Sequence, residues 1–276
     1  MKKLVFLALS LMIFSAGQAQ LKTPAPSPLQ TIKQDFGLGS IEVSYSRPAV
    51  KGRKVFGDLV PFGNVWRTGA NSATTLTFSD EVSIGGVKIG PGKYGLLSIP
   101  DKNNWTIIIS KQTDVTSPAA YKQEMDIVRV NAAAVDIKNK MENFAIVIDN
   151  IKPNQCEIGL YWDKTKVSFT VETDVDTRIM KQIATAMQGD KAPYFNAAMY
   201  YMENGKDLNQ ALAWFEKAAA SSPTAYWVHH QLANCLAKLG KKAEAKAAAE
   251  KSKELALAAK NMDYVKLNEK LLADLK

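Results

Sequence analysis

Apolar and polar residues alternate along much of the first two-thirds of the chain. Ile41, Val43 and Tyr45 are apolar and the residues between them are polar, and this period of two is typical of a strand with one buried face. Eight further segments have strand character and are separated by turns: 75–78, 82–89 with a break at Gly85 and Gly86, 94–99, 105–110, 126–137, 144–149, 157–162 and 167–172. Because no helical repeat lies between them, the sequence predicts an all-β antiparallel sandwich or jelly-roll-like domain over residues 30–173, with one short helix at 118–125.

The pattern changes at Asp174, where alanine, lysine, methionine and leucine replace the β-branched residues. This composition favours helices, so residues 174–276 are predicted to form an all-α domain. Gly205 and Gly240 lie 35 residues apart, each between an apolar helix and an alanine-rich helix. That period is typical of tetratricopeptide-like repeats, which are helix–turn–helix units of about 34 residues. Residues 254–275 are expected to cap the repeats with a more polar helix.

Residues 1–19 have the pattern of a secretory signal peptide. Lys2 and Lys3 precede an apolar run over residues 4–14, and small residues follow at 17–19. We expect cleavage before Gln20 and a proline-rich leader over residues 20–29. The apolar run is much shorter than the roughly 20 residues needed to cross a bilayer. The sequence therefore predicts export to the periplasm or the extracellular space, with no transmembrane anchor after cleavage.

The composition is that of a globular protein, with 46% hydrophobic and 22% charged residues in a chain of 276. The net charge of +8 is spread over both halves, which argues against nucleic acid, since that partner requires a concentrated basic surface. Cys156 and Cys235 lie in apolar segments of different domains. We expect two buried free thiols, with a disulfide as the alternative. No metal-ligand, phosphate-binding, dinucleotide or hydrolase motif is present, so the sequence predicts neither a cofactor nor a metal site.

One irregular segment, residues 57–71, reads G-D-L-V-P-F-G-N-V-W-R-T-G-A-N and matches neither a helix nor a strand. It lies beside a concentration of arginine: the chain has five arginines, and Arg47, Arg53 and Arg67 fall within 21 residues. Arginine presents a planar fork that binds carboxylate or phosphate with two hydrogen bonds, whereas lysine is a flexible point charge. The local use of arginine therefore indicates that a defined geometry is required here.

Two interpretations of these arginines remain open. In one, Arg47 and Arg67 pair with Asp58 or Glu42 and fasten the irregular loop to the sheet. In the other, they face the acidic group of a ligand above Trp66. The candidate ligand-binding residues are Arg47, Asp58, Trp66, Arg67 and Asn71.

Asn71 and the aromatic residues of this region each allow a structural interpretation beside the ligand-binding one. Asn71 follows a glycine and an alanine, and asparagine in such a position often caps a turn through its own amide. Tyr45, Trp66 and Trp105 could form a platform for a sugar ring, or they could be core residues, because a sandwich core requires large inward side chains.

Several short motifs resemble the domain of unknown function 2911 family, which is found in secreted bacterial proteins. They are Ser46-Arg47-Pro48, Gly52-Arg53, Phe56-Gly57, Leu59-Val60-Pro61, the segment Val65-Trp66-Arg67-Thr68-Gly69-Ala70-Asn71, and the Gly-Gly and Gly-x-Tyr-x-Leu segments at 85–96. The resemblance covers roughly residues 30–172. It implies a secreted domain but no activity, because the family is uncharacterised. The usual motif has an acidic residue after the asparagine, where this chain has Ser72.

The helical domain has one candidate partner surface. Trp227, His230 and Asn234 are spaced to share one helix face, on the side that lines the concave groove of such repeats. The functional interpretation is a peptide-binding groove, and the alternative is that this face packs on the β domain.

The sequence thus favours a non-catalytic binding protein, whose β domain engages an envelope component or an acidic ligand and whose helical tail docks a protein partner. The alternatives are a hydrolase-type enzyme that uses Asp58 with Arg67, and a purely structural envelope protein.

Overall fold

The computed structural model describes residues 23–276. They fall into two compact units, which divide between Asp174 and Val175 and are called here the β unit and the helical unit. The predicted signal peptide and the beginning of the leader lie outside the described residues. Within residues 23–276, no helix combines the length and the apolar character that a membrane span requires.

The β unit contains nine strands within the described residues: β1 (Leu29–Phe36), β2 (Gly39–Ser46), β3 (Thr75–Phe78), β4 (Val82–Ile84), β5 (Val87–Ile89), β6 (Gly92–Ile99), β7 (Asn104–Ser110), β8 (Asp126–Asp149) and β9 (Gln155–Glu172). All neighbouring strands pair antiparallel, in the order β1-β2-β3-β6-β7-β8-β9-β4-β5. The predicted β domain followed by a helical domain is confirmed.

Strand β8 belongs to both halves of the sandwich. Its first part, to Ala133, pairs with β7, and its second part, from Ala134, pairs with β9. The inward side chains of both halves form one core, which includes Ile41 and Leu76 on one side and Ile158 and Val171 on the other. Burial of these alternating apolar side chains is what holds the two layers together.

Three details differ from the sequence prediction. Strand β1 forms at residues for which no strand was predicted. The segments predicted separately at 126–137 and 144–149 are one long strand with register shifts, and those at 157–162 and 167–172 are also one strand. In place of the helix predicted at 118–125, there are two 3₁₀ turns of three residues each.

The helical unit contains six helices: α1 (Val175–Ala186), α2 (Tyr194–Glu203), α3 (Leu208–Ser221), α4 (Tyr226–Lys238), α5 (Lys242–Ala258) and α6 (Met262–Asp274). From α2 onward, each helix packs against the next. Small buried residues such as Ala198, Ala211 and Ala245 allow the helices to approach closely. Gly205 and Gly240 end α2 and α4 with positive φ angles of 65° and 75°, a conformation that glycine adopts without a steric penalty.

Candidate functional site

The irregular loop at residues 57–71 is fastened to strand β6. Trp66 and Ser98 exchange two backbone hydrogen bonds of 2.7 and 2.9 Å, and the Gly63 N–H donates to the Pro100 carbonyl at 2.9 Å. The Thr68 and Ser98 hydroxyls lie 2.9 Å apart, which adds a buried side-chain bond. These hydrogen bonds therefore hold the loop against the end of β6.

Glycine is required where this loop turns most closely on itself. A Cβ atom at Gly69 would lie 2.8 Å from the Thr74 hydroxyl and 3.1 Å from the Ser46 carbonyl oxygen. At Gly57, where φ is 87°, a Cβ atom would lie 2.7 Å from the Phe62 ring. A larger residue would therefore displace Phe62 at Gly57 and would collide with Thr74 and the Ser46 backbone at Gly69.

Trp66 is a core residue rather than an exposed platform. Its ring is 9% exposed and stacks on Trp162 at 5.8 Å with an interplanar angle of 17°. Phe56, Trp105 and Phe144 pack edge-on around it. The Trp66 Nε1–H donates to the Gly69 carbonyl at 3.0 Å, so the indole also closes its own loop.

The sugar-platform interpretation fails for the same reason, because Tyr45 and Trp105 are 1% and 2% exposed. The Tyr45 hydroxyl donates to Gln30 Oε1 at 2.7 Å and accepts from the Ile146 N–H at 2.9 Å. Burial raises the pKa of this phenol. Tyr45 therefore links β1, β2 and β8 inside the core.

The three clustered arginines bond to backbone carbonyls. Arg47 Nε donates to the Phe144 carbonyl at 2.9 Å. Arg53 donates from Nε to the Val50 carbonyl at 3.0 Å and from Nη2 to the Ala49 carbonyl at 2.6 Å. Arg67 donates from Nη1 to the Thr116 carbonyl at 2.5 Å. Among the residues that the structure describes, none of the three forms an ion pair with a carboxylate.

The predicted pairing of Asp58 with Arg67 is not present. Asp58 is exposed and makes no hydrogen bond or ion pair to Arg67 within residues 23–276. Glu42 likewise makes no ion pair with Arg47 in this range. Arg47 instead bonds to the Phe144 carbonyl of β8, and neither residue belongs to the irregular loop. The geometry gives no support to a catalytic pair of Asp58 and Arg67.

A cavity of about 370 Å³ opens between the irregular loop and the segment before β8. We call it the loop cavity. A volume of this order accommodates a metabolite-sized ligand. Fifteen residues line it: Ser27, Pro48, Arg53, Leu59, Val60, Pro61, Asn64, Val65, Trp66, Arg67, Gly69, Ala70, Ser117, Pro118 and Trp162.

The wall of the loop cavity is cationic and largely apolar. Arg53 and Arg67 are its charged members, and no aspartate or glutamate is among the lining residues. Nine of the fifteen are apolar residues other than glycine. Such a wall favours a ligand that combines an anionic group with an apolar surface.

Two wall residues carry polar atoms that the protein leaves unpaired. Within residues 23–276, three buried side-chain atoms have no hydrogen-bond partner: Arg67 Nε, Trp162 Nε1 and Asp126 Oδ1. The first two belong to residues of the loop cavity, and both are donors. A buried donor without an acceptor costs about 1–3 kcal/mol, so this wall is less stable than it would be with an acceptor in place.

The sequence-predicted site residues thus separate into two groups. Trp66 and Arg67 line the loop cavity, whereas Arg47, Asp58 and Asn71 do not. Asn71 has a φ angle of 57°, and its Nδ2 donates to the Ser27 carbonyl at 3.1 Å. Its role is to hold the end of the leader against the loop, which places Ser27 at the cavity.

Sequence reasoning missed Arg53, Asn64 and Trp162 as wall residues. Arg53 is one of the three clustered arginines, so the same compositional signal could have identified it as a candidate. Trp162 lies about a hundred residues further along the chain, and only the pairing of β8 with β9 brings it behind Trp66.

A family model described as "Protein of unknown function (DUF2911)" matches residues 27–171, which is more than half of the chain. The chain belongs to the DUF2911 family. The loop cavity lies entirely within the part that matches the family model. Neither the curated proteins nor the solved structures contain a match to this chain.

The helical unit lies outside the DUF2911 match, and its predicted groove residues do not share one open face. Trp227 is 43% exposed, but His230 is only 8% exposed. Helix α6 covers His230: Nδ1 of His230 donates to Asn268 Oδ1 at 2.8 Å, and the Tyr264 ring packs edge-on at 5.5 Å. Asn234 is half-buried and bonds to Gln231 on its own helix at 3.2 Å.

Trp227 lines a second cavity of about 400 Å³, which lies between the start of α2, the end of α3 and the start of α4. Asp190, Lys191, Tyr194 and Asn196 also contribute to its wall. Opposite charges are therefore both present there, and the wall selects no single charge of ligand.

Both cysteines are free and buried, as predicted. Burial raises the pKa of the Cys156 thiol to about 11, and burial also raises that of Cys235. Both therefore remain protonated at neutral pH and act as small apolar core residues.

Proposed function

We propose that this protein is an exported, non-catalytic binding protein. Its β unit binds a small acidic ligand in the loop cavity, and its helical unit binds a protein partner. Export rests on the signal-like pattern of residues 1–19 and would place the protein in the periplasm or outside the cell. The acidic ligand is then either a free metabolite or part of an envelope component.

One observation carries the ligand-binding proposal: two arginines line a cavity that contains no carboxylate. A guanidinium group without a counterion creates a positive potential, and low-dielectric walls concentrate it. Arg53 and Arg67 are positioned by backbone carbonyls, so their charge is fixed in place but not neutralised. An anionic ligand would supply the missing charge.

A thermal-shift screen of the full chain tests this proposal. The library contains small acids, each paired with its neutral amide or alcohol. An acid present at 100 times its dissociation constant should add about 2.7 kcal/mol to the free energy of unfolding. Arg67→Gln and Arg53→Gln should each reduce the shift caused by the acids, because each removes a cation from the wall.

Arg47→Gln is the matched control, since it removes an arginine that bonds to a carbonyl but does not line the cavity. It should lower the melting temperature without changing the shift caused by an acid. If acids stabilise the wild type and Arg67→Gln to the same extent, the loop cavity is not where they bind.

The helical unit supports the second part of the proposal through its architecture. Helices α2 and α3, and then α4 and α5, form two consecutive packed pairs. Alanines lie buried at their contacts, and this arrangement supports a tetratricopeptide-like identity. Such repeats commonly present a surface for peptides, and Trp227 is a large aromatic residue left exposed on it.

The partner proposal is tested with full-length protein as bait in envelope extracts. Trp227→Ser should remove the specific partner, whereas Leu257→Ser should retain it, because Leu257 is a comparably exposed apolar residue on α5. Retention of the partner by Trp227→Ser would exclude Trp227 as the contact, and loss from both variants would show that the effect is not specific to Trp227.

A further inference from the structure

The loop cavity has features that narrow the class of ligand beyond its charge. We propose that the ligand is a monocarboxylate with an apolar body, held by the open edge of the Arg67 guanidinium. This rests on the proposed function, because it names the ligand class for the same cavity. Three features of the wall lead to it.

The first feature is the way in which Arg67 is held. Its guanidinium group makes a single hydrogen bond within residues 23–276, from Nη1 to the Thr116 carbonyl. Nε is buried without a partner, and the hydrogen bonds of the described residues include none from Nη2. In a guanidinium group, the Nε–H and one Nη2–H point in parallel from the same edge, and this edge matches the two oxygens of a carboxylate.

The position of Nε gives such a bond its strength. Nε is shielded from solvent, so water does not compete with a carboxylate oxygen for its hydrogen bond. Nη1 is held by the Thr116 carbonyl and Arg67 belongs to the cavity wall, so the proposed carboxylate takes the edge that the protein leaves open. The same contact removes the cost of an unpaired buried donor.

The second feature is that the two buried side-chain atoms of the wall without a hydrogen-bond partner are both donors. Trp162 is 2% exposed, and its Nε1–H is the other buried donor of the cavity without a partner. Indole nitrogen can only donate. A ligand made of acceptors, such as a carboxylate, therefore suits this wall, whereas an ammonium or an amine does not.

The third feature separates a carboxylate from a phosphate. Nine of the fifteen wall residues are apolar, including Val60, Pro61 and Trp66. A dianion would have to leave water for this surface with one open guanidinium edge to receive it, since Arg53 already uses Nε and Nη2 for carbonyls. A single negative charge on an apolar body matches both the wall and the number of available donors.

The test uses the full chain and four probes: 4-phenylbutyrate, its amide 4-phenylbutanamide, 4-phenylbutyl phosphate and acetate. Binding is measured by calorimetry and by thermal shift. We expect 4-phenylbutyrate to bind at least about tenfold more tightly than the amide, which corresponds to ~1.4 kcal/mol. It should also bind more tightly than the phosphate, because the wall is apolar, and than acetate, because acetate lacks the apolar body.

Arg67→Lys provides the decisive variant, because lysine keeps the positive charge but lacks the planar edge. It should lose most of the preference for carboxylate over amide. If this variant does not fold, Trp162→Phe gives an independent reading: it removes one unpaired donor and should weaken binding of 4-phenylbutyrate more than binding of the amide, because a charged carboxylate is the stronger acceptor.

The possible failures are distinguishable. Tighter binding of the phosphate would overturn the carboxylate assignment and leave an anion-binding function in place. Equal binding of 4-phenylbutyrate and its amide would overturn it and leave only an apolar cavity. If no probe binds and the acid library also gives no shift, both this inference and the proposed function are wrong.

Discussion

The loop cavity and the surface around His230 contain similar residue types, yet they differ in how their polar atoms are satisfied. Around His230, Asn268 bonds to His230 Nδ1 and, through Nδ2, to the Ser252 hydroxyl and the Tyr264 carbonyl. In the loop cavity, Arg67 Nε and Trp162 Nε1 have no partner in the described part of the chain. The polar atoms of the first region are therefore satisfied by the fold itself, whereas the second keeps two buried donors that, in our proposal, a ligand satisfies.

This difference shows which property distinguishes a binding site from a structural network. Aromatic, asparagine and serine residues occur in both, so residue type alone does not separate them. What separates them is whether the fold itself supplies the partner of each buried polar atom. The following predictions test that distinction, in order of decreasing effect.

The largest effect is expected from Asn268→Ala. Asn268 is fully buried, and its removal leaves His230 Nδ1 without its acceptor and takes a donor from the Ser252 hydroxyl. We expect the free energy of unfolding of the helical unit to fall by about 3 kcal/mol. Amide hydrogen exchange of α4, α5 and α6 measures this change for the helical unit by itself.

The control for this prediction is Asn209→Ala, on the exposed side of α3. Its effect should stay within about 0.5 kcal/mol, as is usual for an exposed position. If Asn268→Ala were as mild as the control, the network around His230 would not stabilise the unit. The surface could then open to a partner as the sequence suggested.

A smaller effect separates the two stacked tryptophans. Trp66→Phe and Trp162→Phe remove the same ring atoms from the same stack, but only Trp66 loses a hydrogen bond, from Nε1 to the Gly69 carbonyl. Trp162→Phe removes a donor that is already unpaired. Trp66→Phe should therefore be the more destabilising of the two by about 1–2 kcal/mol.

Urea denaturation without ligand gives both free energies of unfolding, and circular dichroism checks that each variant folds. Equal losses for the two variants would mean that Trp162 Nε1 has an acceptor in solution. That result would remove one of the two unpaired donors from the loop cavity and weaken its distinction from the His230 surface.

Most of the strands could be predicted because their inward positions are apolar. Strand β1 could not, because two of the residues on its inward side, Gln30 and Gln34, are polar. The reason is visible in the fold: Gln30 Oε1 accepts the hydrogen bond of the buried Tyr45 hydroxyl at 2.7 Å. A polar residue that serves a buried phenol looks like a loop residue when only hydrophobicity is considered.

The candidate site could be predicted only in part. The concentration of arginine led to the loop that lines the cavity, because that signal depends on composition over a short stretch. The identity of each partner depends on the fold: one interpretation paired Arg67 with Asp58 or Glu42, whereas Arg67 bonds to the Thr116 carbonyl. The packing of α6 over His230 could not be predicted either. Helical periodicity shows which residues share a face of a helix, but it does not show which other helix covers that face.

The smallest effect is expected for a polar side chain whose hydrogen bonds lie near the protein surface. Glu157 on β9 is hydrogen-bonded by Ser168, Lys166 and Asn150, and these bonds lower its pKa to about 2. Its side chain is 26% exposed, so screening by solvent limits its contribution to less than about 1 kcal/mol. The contribution is present above the ordinary glutamate pKa of about 4.3 and is lost as the pH falls toward 2.

Glu157→Gln should therefore destabilise the β unit slightly at pH 7, and the difference from the wild type should shrink as the pH falls from 5 to 2.5. Urea denaturation at several pH values measures this, with Glu172→Gln on the same strand as the control. A difference that does not change with pH would show that the carboxylate charge contributes nothing. Satisfaction of polar groups would then matter for stability only where they are buried, which is the condition met by both the His230 network and the loop cavity.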